Sequence, residues 1–411
     1  MTSTAETAPA PATEQATDVR VIGLIGAAHF VSHYYILVLP PLFTLVRADF
    51  GVSYVQVGLA LTAFNVISAL LQTPAGFLVD RVSARAVLIG GLLCGAAGLA
   101  GASLLSSFWG FVVMFALLGL GNTVYHPADY ALLSRHVSPN RMGRAYSIHT
   151  FSGMLGSAAA PATLLFLASA YGWRGAYMAS ALLGVAVAAL LVVFGGALAG
   201  AEPNNAVPQA GDPASAPAAG WPLLFSIPVL MNLLFFVFLA LANGGVQNYA
   251  VVVLDAVHGT PLYTANIALT AYLLMAALGV LVGGHVATQT PRHDRVAMAG
   301  LTVTATSVFL VAVFDLNAVA IIGLLALSGL ANGIIMPSCD LLVRAVTPAG
   351  AFGKVFGFVT TGFNIGGMVS PILYGWLLDN GAPRGVFLAA VLFSLASIPT
   401  VMINVARRRS R

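Results

Sequence analysis

Charge is what this chain has least of. Only 7% of its 411 residues are Asp, Glu, Lys or Arg, where soluble domains carry about 25%. So few charges cannot cover a water-facing surface. The 59% of apolar residues also exceeds what one aqueous core can hide, so lipid is the solvent that fits. Cysteine is scarce too. Cys94 and Cys339 both sit inside apolar runs, which excludes a disulfide framework and a cysteine metal site. The net charge of +4 is spread over short loops, so nucleic acid is not an expected partner. No HExxH, GxSxG or P-loop occurs in a suitable context, and the histidines lack a paired nucleophile. An enzyme is therefore not expected. The opening MTSTAETAPAPATEQATD has no basic n-region and reads as a short disordered tail rather than a signal peptide.

Apolar runs of spanning length, about 20 residues, recur along the chain. They fall near 20–46, 54–79, 86–105, 109–134, 142–170, 174–198, 221–254, 262–287, 295–314, 317–344, 352–378 and 385–406. Twelve helices are expected, because barrel strands would show short alternating segments instead. With a cytoplasmic N-terminus, fourteen Lys and Arg fall on the cytoplasmic side and three, Arg47, Arg174 and Arg384, on the other. That bias sets the orientation, puts both termini in the cytoplasm and demands an even number of spans. The stretch 199–220 has four prolines and no Lys or Arg, and reads as a flexible cytoplasmic linker. The expected organisation is a tail at 1–19, a six-helix bundle at 20–198, the linker, a second bundle at 221–406 and a basic tail at 407–411.

The two halves repeat at an offset of about 210 residues. GLGN at 119–122 answers GLAN at 329–332, Pro127 answers Pro337, Gly143-Arg144 answers Gly353-Lys354, Pro161 answers Pro371, and Arg174-Gly175 answers Arg384-Gly385. Thr62-Ala63-Phe64 answers Thr270-Ala271-Tyr272 at offset 208. Six is even, so both halves insert in the same orientation. Parallel repeats of this kind belong to transporters whose halves rock about a central site.

At this point the sequence resembles the major facilitator superfamily over nearly its whole length. The loop GFLVDRVSAR at 76–85 is similar to the family's signature loop, with Gly76, Asp80, Arg81 and Arg85 matching and Ser83 near the usual glycine. Its counterpart GHVATQTPRHDR at 284–295 has Thr288 where the acid would stand. A narrower resemblance is to the fosmidomycin-resistance exporters, carried by AHFVSHYYILVLPPL at 28–42 and VYHPAD at 124–129. His29, His126 and Pro127 match. The acid of span one falls at His33, and Asp129 is displaced by one residue. In span five, GMLGSAAAP at 153–161 has the glycines of the drug-antiporter signature but holds Pro161 apart from them.

Ionisable groups deep in lipid are costly and ask for a reason. His29 is nine residues from Arg20, His126 nine from Arg135 and His149 eight from Arg141. At 1.5 Å per residue each lies about 12–14 Å inside the boundary, near the middle of a ~30 Å core. His33 is one turn above His29. Either these histidines line a polar cavity and titrate near neutral pH, or they are neutral and bonded to backbone and hydroxyls. The same geometry would allow ligation of zinc by His29, His33 and His126, but nothing else in the chain supports it, and no metal or cofactor is expected. Asp129 is either a proton carrier or a structural partner of Arg135 or Arg144. Asp340 and Arg344, spaced i, i+4, read as a local salt bridge. Asp255 reads as solvated.

The expected proton-coupling set is His126, His29, His33 and Asp129. The expected substrate-binding set is Tyr34, Asn122, Tyr125, His149, Asn243, Gln247, Asn332 and Asn364, so the C-terminal half contributes amides. The resemblance implies gating by Gly76, Asp80, Arg81 and Arg85, with Asp80 near the positive start of span eleven around Gly353; the plainer alternative is a topology anchor.

The function expected is a proton-coupled exporter of a small organic or drug-like compound, monomeric, in a bacterial inner membrane. An uptake symporter for an organic anion and a non-transporting receptor or scaffold are the alternatives.

Overall fold

A computed structural model describes residues 12–138, 141–198, 221–348 and 352–409. The expected linker at 199–220 and the side chain of Asp80 lie outside the described part. Among the described residues there are fourteen α-helices and no strand. Those that span are α1 (Ala12–Ile36), α3 (Tyr54–Arg81), α4 (Ala84–Leu104), α5 (Phe108–Asn122), α6 (Tyr125–His136), α7 (Met142–Phe194), α9 (Ile227–His258), α10 (Leu262–Gln289), α11 (His293–Val313), α12 (Ala318–Val346), α13 (Phe352–Asp379) and α14 (Pro383–Arg409). Two short helices, α2 (Phe43–Phe50) and α8 (Trp221–Leu224), complete the set.

Eleven helical stretches are long and apolar enough to cross a membrane, and one of them, Met142–Phe194, has 53 residues. At 1.5 Å per residue it would be about 80 Å long, far beyond the ~30 Å core. It turns at Gly172 (φ 68°, ψ 171°), a backbone conformation that glycine alone adopts readily. The stretch is therefore two spans and the total is twelve, as the even-number argument requires.

Prolines shape two of the spans that carry the histidines. Pro40 would clash with the carbonyl of Ile36 four residues back, and α1 ends at Ile36, giving way to a 3₁₀ turn at Pro40–Leu42. Pro127 likewise opposes the carbonyl of Thr123, and span four breaks there into α5 and α6. His126 thus sits in the first turn of α6. The N-terminal helix starts at Ala12 rather than 20. The buried Asp18 holds it down, accepting a hydrogen bond from Ser138 and pairing with Arg141 at 3.7 Å.

The repeat reappears in the packing. A Cβ on Gly119 would lie 2.5 Å from the Phe64 carbonyl oxygen, and one on Gly329 would lie 2.0 Å from that of Tyr272. These are the same pair of positions in each half, α5 against α3 and α12 against α10. Glycine at both lets the backbones touch.

The halves meet along α3 and α13 at the end opposite the chain termini. Asp379 accepts from the backbone N–H groups of Tyr54 (2.8 Å) and Val55 (2.9 Å), the first turn of α3. Ser53 and Gln56 cap the same turn reciprocally, so its free donors are met. Deeper along the seam, Thr62 donates to the Met368 carbonyl at 3.2 Å and Tyr249 to that of Pro371 at 2.8 Å. Phe43 meets Tyr249 at a tilt and Tyr249 meets Tyr374 edge-on at this end, with centroids 5.1 and 5.8 Å apart. Toward the terminus-bearing end, a Cβ on Gly76 of α3 or Gly357 of α13 would meet no atom within 4 Å.

Candidate functional site

The histidines predicted from depth do converge, and they converge on an acid. Asp129 of α6 is fully buried. Its Oδ2 lies 3.1 Å from Nδ1 of His29 on α1 and 2.9 Å from Nε2 of His149 on α7. For both rings to donate, His29 carries its proton on Nδ1 and His149 on Nε2. The two rings stack at 3.6 Å. Both histidines are buried, and Asp129 Oδ1 and His149 Nδ1 have no hydrogen-bond partner. His33 joins at 4.7 Å from the His29 ring and 3.4 Å from Ser157 Oγ. His126, which is exposed, stands 5.2 Å from the His29 ring.

Gly153 of α7 makes room for this cluster, since a Cβ there would lie 2.7 Å from His29 Nε2 and 2.8 Å from His33 Cδ2. The sequence singled out this glycine only as part of a motif.

Several expectations change. His149, expected among the substrate-binding residues, is a member of the buried cluster. Asp129 pairs with histidines, not with Arg135 or Arg144. The geometrically compact trio is His29, Asp129 and His149, whose ligand atoms lie within 4.8 Å of one another, rather than His29, His33 and His126. Tyr34 is buried and shares a hydrogen bond with Thr163 at 2.9 Å. Tyr125 is buried at 2% exposure, and its hydroxyl has no hydrogen-bond partner among the described residues. Asn122 is a strut, accepting from Ser32 at 3.2 Å and donating to Ser68 at 3.4 Å. On the C-terminal half, Asn332 donates to the Tyr272 hydroxyl and that hydroxyl to Asn243, both at 3.3 Å. Gln247 interacts with the same phenol. These amides converge on the Tyr272 hydroxyl, while Asn332 Oδ1 is buried with no hydrogen-bond partner among the described residues. Asn364 is half-buried on α13 and joins none of these bonds.

Among the loop residues, Arg81 is exposed, while Arg85 donates to the carbonyls of Leu191 (2.9 Å) and Val192 (2.8 Å) at the end of α7. That contact lies within one half and favours a cation at a helix C-terminus, which accounts for Arg85 without gating. The expected Asp340–Arg344 bridge is absent among the described residues. Asp340 is instead exposed on α12, on the wall of a cavity of about 550 Å³ between α7, α10 and α12. Tyr146 lines that cavity, with Tyr130 packed edge-on against it at 5.5 Å. Tyr130 in turn lies 5.3 Å from the His149 ring, so two phenols, Tyr130 and Tyr146, link the buried cluster to the cavity. Asp340 stands at the repeat position of Tyr130, offset by 210 residues, a register that could have singled it out. The helical spacing to Arg344 suggested a different role.

The fold is shared with solved transporters. A bacterial homolog to the human lysosomal transporter Spinster, in an inward-facing and occupied conformation, superimposes with a TM-score of 0.74 at 14% identity, covering 94% of this chain and 96% of that one. Among curated proteins, the fosmidomycin resistance protein of Escherichia coli is 25% identical over 281 residues, 68% of each chain. A multidrug resistance protein B homolog of Mycobacterium tuberculosis is 22% identical over 396 residues, 95% of this chain; the match spans 64% of that protein's length. The family model of the Major Facilitator Superfamily matches residues 25–263 and again 233–411, two overlapping matches that together cover nearly the whole chain. The chain belongs to the major facilitator superfamily of transporters.

Proposed function

We propose that this transporter is a proton-coupled exporter of a small organic compound, working as a monomer in a bacterial inner membrane with both termini in the cytoplasm and no cofactor. The observation that carries the reading is the His29–Asp129–His149 cluster. With both imidazoles neutral and the carboxylate ionised, its charge is −1; one added proton brings it to 0. Both states keep ring-to-carboxyl hydrogen bonds. Proton carriers inside membrane proteins are built from such Asp and His groups. Alternating access would expose the cluster first to one side and then to the other, and the phenol pair Tyr130–Tyr146 between cluster and cavity gives the substrate a path to sense the change. Similarity to proteins named for fosmidomycin and multidrug resistance supports export.

The test is a solute panel in inverted vesicles. In these, the lumen corresponds to the outside, and an acid lumen should drive accumulation of at least one compound. Accumulation driven only by an alkaline lumen would point to the uptake symporter instead. No gradient-dependent flux of any compound would remove the reading.

The orientation has its own test. A cysteine at the exposed Asn380 should react with an impermeant maleimide in intact cells, and one at Gln289 only after the membrane is opened, both in a background lacking Cys94 and Cys339. The reverse pattern inverts the topology.

A further inference from the structure

We propose that the cavity between α7, α10 and α12 binds an organic cation, with Asp340 as its counter-ion; this rests on the transporter reading and supplies its substrate class. The cavity, about 550 Å³, is within the range that holds a drug-sized molecule. Its walls are mainly apolar, with Phe151, Met154 and Met336 among them and Ser147 and Thr150 adding hydroxyls. Methionine side chains adapt to varied shapes. Into this space projects one carboxylate.

Asp340 is exposed on the cavity wall, and none of the hydrogen bonds or ion pairs among the described residues involves it. It lies six residues before the end of α12, about 9 Å inside the helix terminus, where an ionised side chain calls for a partner. Neither Lys, Arg nor His is among the described residues that line the cavity, so the charge on the described lining is negative and disfavours an anion.

The opposite wall reinforces the sign. Tyr146 lines the cavity, and Tyr130 is within electrostatic range of Asp340. A phenol and a carboxylate on the walls of one cavity can hold a cation together, the ring through its face and the carboxylate by neutralising it. The repeat places Tyr130 and Asp340 at equivalent positions on α6 and α12, so the aromatic half of the site comes from one bundle and the charged half from the other. A bound cation would touch both halves, as a transported ligand must.

The experiment compares two probes of one shape and opposite charge, tetraphenylphosphonium and tetraphenylborate, on the full chain in lipid nanodiscs with empty nanodiscs subtracted. Tetraphenylphosphonium should bind saturably and tetraphenylborate should not bind. Asp340→Asn should weaken tetraphenylphosphonium at least tenfold, Asp340→Glu should restore most of it, and Asp255→Asn, at the far end of α9, should change nothing. Equal binding of the two probes by the unmodified chain overturns the proposal without recourse to any variant, and so does unaltered cation binding by a folded Asp340→Asn. Should vesicles export other solutes while tetraphenylphosphonium fails to bind, the cation site falls and the exporter reading stands. Should the cation bind at Asp340 while no solute follows a gradient, the exporter reading falls and the site stands.

Discussion

Asp129→Asn is expected to drop accumulation under a one-unit pH gradient from about tenfold to about onefold, while leaving solute exchange across the membrane intact. The figure follows from the driving force. One pH unit is worth about 1.36 kcal/mol per proton, which one-for-one coupling converts into about a tenfold concentration ratio. Asparagine has nearly the same shape, and its carbonyl oxygen can still accept from both His29 Nδ1 and His149 Nε2. The cluster therefore keeps its geometry but is fixed at zero charge and can no longer trade a proton for substrate. Radiolabelled counterflow in the absence of a gradient separates the two outcomes, because it needs alternating access but not protonation. His126→Gln should have a smaller effect, since His126 is bonded to neither partner and stands 5.2 Å from the nearest ring of the cluster. If the Asp129 variant accumulates solute at the unmodified level, the coupling proton travels by another group.

Gly329→Val is expected to cost at least 3 kcal/mol and to remove most of the folded protein, an effect at or beyond the top of the usual 1–3 kcal/mol range for overpacking. The added Cβ would fall 2.0 Å from the Tyr272 carbonyl oxygen, an atom of the α10 backbone that no rotamer change can move aside. The neighbours offer no relief. A Cβ on Gly333 would lie 2.1 Å from the Ala276 oxygen, and those on Gly279 and Gly283 would each lie 2.4 Å from carbonyl oxygens of α12. Spaced by four on each helix, the glycines form one seam along which α10 and α12 approach at backbone distance. Gly284→Ala makes the control, since nothing lies within 4 Å of its Cβ position and alanine is the better helix former. The thermal midpoint and the monodisperse fraction on size exclusion should fall for Gly329→Val and hold for Gly284→Ala. A Gly329→Val protein with an unchanged midpoint would mean that the two helices stand further apart than described.

What the sequence made legible was depth. Lipid dictates composition along the membrane normal, so the spans, their number and the common level of His29, His126 and His149 could be counted from loop arginines. Breaks at Pro40 and Pro127 were legible for a local reason, the missing N–H and the clash with the carbonyl four residues back. Rotation about each helix axis was not legible. In lipid both the packed and the outward faces of a span are apolar, so periodicity scarcely marks which face turns inward. That is why Tyr34, Tyr125 and Asn122, at plausible depths, turned out to be buried or bonded inside their own half, and why Asp129 was paired with nearby arginines rather than with rings 20 and 100 residues away. The Asp340–Arg344 expectation failed for a related reason: i, i+4 spacing places two Cβ atoms side by side but does not say what else competes for the charges. Gly153 could have been found by asking which glycine faces two imidazoles, but that question needs the azimuth of α7.

The contact of Asp379 with the first turn of α3 bears on how long the far end stays shut. A carboxylate resting on an exposed helix N-terminus is worth about 0.3–1 kcal/mol, a bias of roughly twofold to fivefold in the time spent closed. When the halves part, water can take up both the carboxylate and the Tyr54 and Val55 amides at little cost, so reopening meets no deep trap. Such a contact does more to align α13 with α3 on each return than to hold them together, which suits a joint that must come apart once in every transport cycle.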